Sequence, residues 1–212
     1  MKLHGYWRSS AAYRVRIALN LKGVQVEHCP VHLVNHGGEQ HSAAYQLLNP
    51  SELVPTLVEG ELSLNQSLAI IQYLEDSYPQ TPLYPKDPAQ KAAVMAFALD
   101  IACDIHPLNN LRVLQYLTGP LALSEAEKMQ WIKHWLAVGF SALESRLQQT
   151  ARRYCFGDQI TVADLCLVPQ VYNALRFQLD MTNYPLISAI YQRCNQLEEF
   201  LKAAPEQQTD AV

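Results

Sequence analysis

Four prolines, Pro79, Pro82, Pro85 and Pro88, crowd the stretch 77–88 and divide the 212-residue chain into parts of different pattern. Each proline removes a backbone donor and fixes φ, so such a stretch reads as a linker rather than as helix or central strand. Ahead of it, short apolar runs alternate with helically spaced ones; behind it, the spacing is helical almost throughout. The pattern predicts an α/β unit over 1–80, a linker over 81–87 and an all-helical unit over 88–212.

Within the first part, 1–5 is a short apolar strand, and 10–21 has helical spacing that Gly23 is placed to stop. A second strand is expected over 27–33, a polar turn over 35–38, and a hairpin of 55–58 and 61–64 around Gly60. Helical spacing returns over 66–76. The order β-α-β then β-β-α suggests a mixed sheet. In the second part helices are expected over about 89–116, 124–149, 161–177 and 186–202, with Thr161 and Asp164 forming a capping box, and a polar tail over 205–212 that frays.

Composition narrows the class. Hydrophobic residues make up 49% and charged ones 17%, which excludes a disordered chain. A net charge of -4 supplies no basic field, so neither nucleic acid nor a membrane surface is an expected partner. The five cysteines are scattered without a C-x-x-C pair or zinc-ligand spacing, which suits reduced thiols and no metal. No signal-peptide core and no segment of transmembrane length is expected, so the cytoplasm is the default address.

Three short motifs carry chemistry. Ser9-Ser10 lies where the first strand meets the first helix, and a hydroxyl there can donate to a thiolate beside the positive end of a helix dipole. The alternative is that a serine merely caps the helix. Val54-Pro55 precedes a strand; the motif alone leaves the isomer open, but a cis bond would turn the Val54 N–H and C=O outward toward an extended peptide. Asn65-Gln66-Ser67 opens a helix with an amide, a hydroxyl and backbone N–H groups suited to a carboxylate, with plain capping again the alternative.

Together these motifs resemble the zeta class of the glutathione transferase superfamily. The string Ser9-Ser10-Ala-Ala-Tyr-Arg14-Val-Arg16-Ile-Ala-Leu is similar to its signature, and the likeness continues through Leu48-Asn49-Pro50, Val54-Pro55-Thr56-Leu57, Gln66-Ser67-Leu-Ala-Ile-Ile, Ala163-Asp164 to Gln170, Arg176-Phe177 and Tyr184-Pro185. The resemblance implies a thioredoxin-like N-terminal domain, an all-α C-terminal domain, a cis Val54-Pro55 bond and a homodimer with one glutathione site per subunit. It implies a cis–trans isomerase of a maleyl keto acid, maleylacetoacetate or maleylpyruvate, acting in aromatic amino acid catabolism such as tyrosine degradation. Ser9 and Ser10 would face the glutathione sulfur, Val54 and Pro55 its backbone, Gln66 and Ser67 its γ-glutamyl carboxylate, and Gln40 its glycyl end. His106 and Asn110 would reach in from the helical domain, and Arg8, Arg112 and Arg176 would hold the carboxylates of the dicarboxylic substrate. Where the zeta signature has Cys this chain has Ala11, which leaves the serine hydroxyls to stabilise the thiolate.

That chemistry needs a stabilised thiolate, cations for a dianion and donors for an oxygen that gains charge. Guanidinium forks grip carboxylates bidentately, although each arginine also admits a reading as a solvated or ion-paired surface residue. His106 is either a donor to the substrate or, followed by Pro107, the mark of a kink. Arg14 and Arg16 read as structural ion-pair partners, and Cys155 and Cys166 as buried packing residues. Two rival functions remain: a general glutathione transferase acting on apolar electrophiles, and a non-enzymatic interaction module.

Overall fold

A computed structural model describes residues Met1–Ala211, which fall into two compact units, 1–82 with 195–211 and Leu83–Cys194. In the first, β1 (Lys2–Gly5) turns into α1 (Ser10–Lys22). Ser9 caps α1, its Oγ accepting from the Ala12 N–H at 3.2 Å, and Gly23 ends it at φ 67°, a conformation that glycine adopts without steric cost. The crossover through α1 returns β2 (Glu27–Pro30) parallel to β1. On the other side of β1 the hairpin of β3 (Thr56–Glu59) and β4 (Leu62–Asn65) pairs antiparallel, giving the mixed order β2-β1-β3-β4.

Two further helices, α2 (Ala43–Leu48) and α3 (Ser67–Ser77), flank the hairpin in sequence. The last α-helix of the chain, Glu198–Ala203, packs on α1, as does α3. Val15, Ile17, Ala18 and Leu19 are therefore buried together with Leu57, Ile70, Ile71 and Leu74. Each of the Val, Ile and Leu side chains among them contributes about 1.5–3 kcal/mol by leaving water.

The second unit holds α4 (Pro88–Leu99), α5 (Leu111–Thr118), α6 (Glu125–Thr150), α7 (Val162–Arg176) and α8 (Pro185–Cys194); the helix Glu198–Ala203 of the first unit is α9. Asp87 and Ser124 cap α4 and α6 with their side chains. The Asp164 carboxylate is fully buried and accepts from the Thr161 N–H at 2.9 Å and the Cys155 N–H at 2.8 Å, which is the expected cap extended to one more donor. Burial raises the Asp164 carboxyl above its ordinary value, against those hydrogen bonds. Glu144 on α6 performs the same service for α8, accepting from the Leu186 and Ile187 N–H groups at 2.8 and 3.0 Å.

Several sequence expectations need correction. The division between units falls at Pro82/Leu83, inside the expected linker 81–87, but the segment is not a free linker: Leu83 and Tyr84 are buried in the second unit and the Leu83 C=O accepts from the Val162 N–H at 3.0 Å. Nor does the helical part run to the end: the helix expected over 186–202 stops at Cys194 and resumes as α9 within the first unit. The tail does not fray through Asp210, which accepts from the Trp7 N–H at 3.0 Å. The strand over 27–33 ends at Pro30, and α2 was not expected at all.

The helix over 89–116 breaks into α4, a π turn over Asp100–Ile105, a 3-10 turn over His106–Asn109, and α5. Gly139 on α6 accommodates this, since an added Cβ would lie 2.4 Å from Ile105 Cδ1. Against the expectation that no segment reaches membrane-spanning length, the run Pro88–Thr118 is long and apolar enough by length and composition, with mean hydropathy 1.2 over its best window. Asp100 and Asp104 lie in the π turn that interrupts it.

Asp164→Ala leaves two buried N–H donors without an acceptor, and is expected to lower unfolding stability by about 3 kcal/mol in urea titration. A loss under about 1 kcal/mol contradicts the cap's structural role.

Candidate active site

Strand register decides which loops meet. His4 pairs with Thr56 and Thr56 with Asn65, so the end of β1, the start of β3 and the end of β4 share one edge of the sheet. The segments just beyond, 6–9, 53–55 and 66–67, therefore converge there. Six of the residues singled out in this unit, Arg8, Ser9, Val54, Pro55, Gln66 and Ser67, belong to those segments, and Ser10 adjoins them.

Each segment arrives in a definite state. Ser9 spends a lone pair on the Ala12 N–H, which realises the capping alternative but leaves its hydroxyl hydrogen to donate. Ser10 is buried at the first position of α1. The Val54-Pro55 bond is cis, and among the described residues nothing pairs with the Val54 backbone N–H or C=O. Gln66 takes φ 66°, uncommon for a residue with a Cβ and typical of functional sites, and α3 starts without a side-chain cap. Plain capping thus does not describe 65–67. The first-turn N–H groups of α3 and the positive end of its dipole are available to an anion. Ser67 is buried and its Oγ accepts from Arg14 Nη1 at 3.2 Å.

Gln40 lies on a 3-10 turn, Glu39–His41, with its Nε2 3.0 Å from His41 Nε2 and its Oε1 buried without a partner among the described residues. His41 Nδ1 in turn contacts Glu52, which leads directly into the 53–55 segment. Arg8 holds its guanidinium carbon 5.0 Å from the Trp7 ring centroid and 6.0 Å from that of Tyr6.

In the second unit, His106 opens the 3-10 turn with Pro107 at the following position, so the kink alternative is realised. Asn110 caps α5, its Oδ1 accepting from the Arg112 N–H at 3.3 Å, and Arg112 is exposed. Arg176 ends α7 exposed, its Nη2 donating to Asn173 Oδ1 at 2.9 Å and its guanidinium carbon 4.3 Å from the Phe177 ring centroid. Among the described residues no carboxylate pairs with Arg8 or Arg112, so the ion-pair alternative does not account for them. Cys155, Cys166 and Cys194 are buried, and burial pushes the Cys155 and Cys194 thiols up, away from reactivity. Among the described residues no cluster of His, Cys, Asp or Glu could hold a metal ion.

Residues 3–82 match the family model described as "Glutathione S-transferase, N-terminal domain", and residues 125–198 match "Glutathione S-transferase, C-terminal domain". The chain belongs to the glutathione S-transferase family. Within it the chain is similar to zeta-class members. It is 56% identical to a probable maleylacetoacetate isomerase of Vibrio cholerae, over 99% of this chain and 97% of that one. It is 47% identical to a maleylpyruvate isomerase of a Ralstonia species over the whole of both chains (100% each). Among solved structures, the holo form of a bacterial maleylpyruvate isomerase described as a zeta-class glutathione S-transferase superposes with TM-score 0.96 at 46% identity, covering 100% of both. A maleylacetoacetate isomerase of Methylobacterium extorquens AM1, with bound malonate and GSH, superposes with TM-score 0.95 at 36% identity, again covering 100% of both.

For a glutathione S-transferase chain of this kind, sequence reading missed the residues that hold the 53–55 segment. Asn49 Nδ2 donates to the Leu53 C=O at 2.7 Å, and Asn49 Oδ1 accepts from Asn65 Nδ2 and the Ser51 N–H, each at 3.0 Å. Tyr45 Oη also donates to the Leu53 C=O, at 2.7 Å. The only sequence signal was the Asn49-Pro50 pair, which reads as a turn. Asn49→Ala strips the Leu53 segment of one of these donors and is expected to cost about 2 kcal/mol of stability in denaturant titration; an unchanged midpoint refutes the role.

Proposed function

We propose that this chain is a glutathione-dependent isomerase that converts the cis double bond of a maleyl keto acid, maleylacetoacetate or maleylpyruvate, to the trans, fumaryl form. The observation that carries the reading is the shared sheet edge with its Val54 backbone, unpaired among the described residues, its α3 without a side-chain cap and its Ser9 hydroxyl. These groups fit an extended tripeptide with a carboxylate at each end and a thiol between. Val54 pairs with its backbone beside Pro55, while Gln66, Ser67 and the α3 N-terminus take the γ-glutamyl carboxylate. Gln40, whose buried Oε1 has no partner among the described residues, serves the glycyl end.

Glutathione, when bound, supplies a thiolate that adds reversibly to the conjugated bond and so lets it rotate. Ser9 and Ser10 donate to that sulfur and hold its charge at neutral pH, with the α1 dipole behind them. No thiol stands at Ala11, so the hydroxyls carry this duty. Arg8, Arg112 and Arg176 neutralise the two carboxylates of the substrate, and a guanidinium suits this because its fork matches a carboxylate and keeps its charge at every working pH. His106 donates to the oxygen that gains charge, and Asn110 assists at the glutathione side. The same reading has the chain act as a cytoplasmic homodimer in aromatic amino acid catabolism, tyrosine degradation included.

The test is isomerisation of maleylacetoacetate and of maleylpyruvate, each with and without glutathione, by the wild type and by Arg176→Ala. Glutathione-dependent turnover that falls about 30- to 150-fold in kcat/KM for the variant is expected, the loss that a charge-assisted contact of about 2–3 kcal/mol supplies. Conjugation of an aryl halide without isomerisation of either keto acid overturns the reading in favour of a general transferase.

A further inference from the structure

We propose that Asp210 and Arg16 are positioning residues that clasp the turn between β1 and α1 and thereby set Arg8 against the substrate. The inference rests on the reading of Arg8 as a carboxylate ligand and extends it to groups that touch neither substrate nor glutathione.

The turn is closed by the Ser9 N–H donating to the Tyr6 C=O at 3.0 Å. Its centre, Trp7, has both backbone polar groups taken from elsewhere in the chain. Asp210 Oδ2, 203 positions away, accepts from the Trp7 N–H at 3.0 Å. Arg16 Nη2 donates to the Trp7 C=O at 2.9 Å, and Arg16 Nη1 reaches the Tyr6 C=O at 3.5 Å. The same guanidinium donates through Nε to the Ala203 C=O at 2.9 Å, so one buried cation ties the turn to the chain that leads into the tail. Gln208 fastens that tail by donating to the Lys202 and Ala204 carbonyls at 3.0 and 2.9 Å. A small cavity between turn and tail is lined by Tyr6, Trp7, Arg16, His28, Gln208 and Asp210.

A polar chain end held by its own carboxylate is unusual, because tails with nothing to bury ordinarily fray. Here the carboxylate faces a neutral amide N–H, and what that amide belongs to is informative. The Trp7 indole lies under the Arg8 guanidinium, at 5.0 Å from the ring centroid. Fixing the Trp7 backbone therefore fixes the platform on which Arg8 rests. A long arginine side chain without such support carries substantial rotamer entropy, which substrate binding would have to remove. The clasp reduces that cost before substrate arrives, and its effect falls on substrate affinity rather than on thiolate chemistry.

The test is steady-state isomerisation by Asp210→Ala, Asp210→Asn, Arg8→Ala and the Arg8→Ala/Asp210→Ala double variant, with melting temperatures measured alongside. Asp210→Ala is expected to raise KM for the keto acid about tenfold while KM for glutathione changes less than about twofold. Asp210→Asn, which keeps an acceptor oxygen, restores most of the loss. In the Arg8→Ala background the Asp210→Ala change adds nothing further, since the two act through one group. A lowered melting temperature with wild-type KM values, or multiplicative effects in the double variant, overturns the proposal. If Arg8→Ala alone leaves KM for the keto acid unchanged, Arg8 is not a substrate ligand and the clasp falls with it. If that variant raises KM and Asp210→Ala does not, only the clasp fails.

Discussion

A guanidinium withdrawn from water must find acceptors for its N–H groups, and α1 buries two of them, Arg14 and Arg16. Two positions apart on a helix, they leave its axis roughly 200° from one another. Arg14 reaches the Ser67 hydroxyl at the start of α3, and Arg16 reaches the carbonyls of Tyr6, Trp7 and Ala203. Neither donates to a carboxylate in these bonds. Their partners are a side-chain hydroxyl at one helix start and backbone carbonyls of the β1–α1 turn and the end of α9, so a single helix anchors both sides of the candidate glutathione edge.

The edge follows from that anchoring together with strand register. Antiparallel pairing of β1 with β3 and of β3 with β4 sends three segments to the same side, where a slip of one residue would turn every side chain over. Around it the chain withholds its own partners. α3 starts from Gln66 without a side-chain cap, and the Asn65 amide just before it donates to Asn49 Oδ1. The Leu53 carbonyl is taken by Asn49 and Tyr45, whereas the backbone groups of the next residue have no partner among the described residues. Donors at a helix start without a side-chain cap, beside a Val54 backbone unpaired among the described residues, suit a peptide with an anionic group at one end.

Much of this was legible in the sequence where local rules suffice. Ser9 and Gly23 bracket α1 as cap residues do, Thr161 and Asp164 form their box, and the alternation of short elements before Pro79 specifies a mixed sheet. What escaped depends on contacts between distant residues. α2 is six residues long, too short to display a period. The helix over 186–202 breaks because Arg16, Asn20 and Tyr13 draw the carbonyls of Ala203, Glu199 and Phe200 onto α1, and no local pattern announces that. The π turn before His106 needs the missing side chain of Gly139 on another helix. Asp210 looked like part of a polar tail because its partner is the backbone of Trp7. Among the candidate site residues, those at loop–helix junctions were readable from their motifs, while the groups that hold the junctions, Asn49, Tyr45 and Arg14, were visible only once folded.

The claim on which the chemistry turns is that the edge beside Ser9 and Ser10 holds a thiol in its ionised form. Ultraviolet titration of the thiolate absorbance in the protein–glutathione complex tests it directly, with Ser9→Ala and Ser10→Ala measured in parallel. The bound thiol is expected to titrate at least about 1.5 units below the roughly 8.5 of a free cysteine thiol, and to move back toward it in at least one serine variant. A bound thiol that titrates at its free value in the wild type contradicts a thiolate-based isomerase at this site.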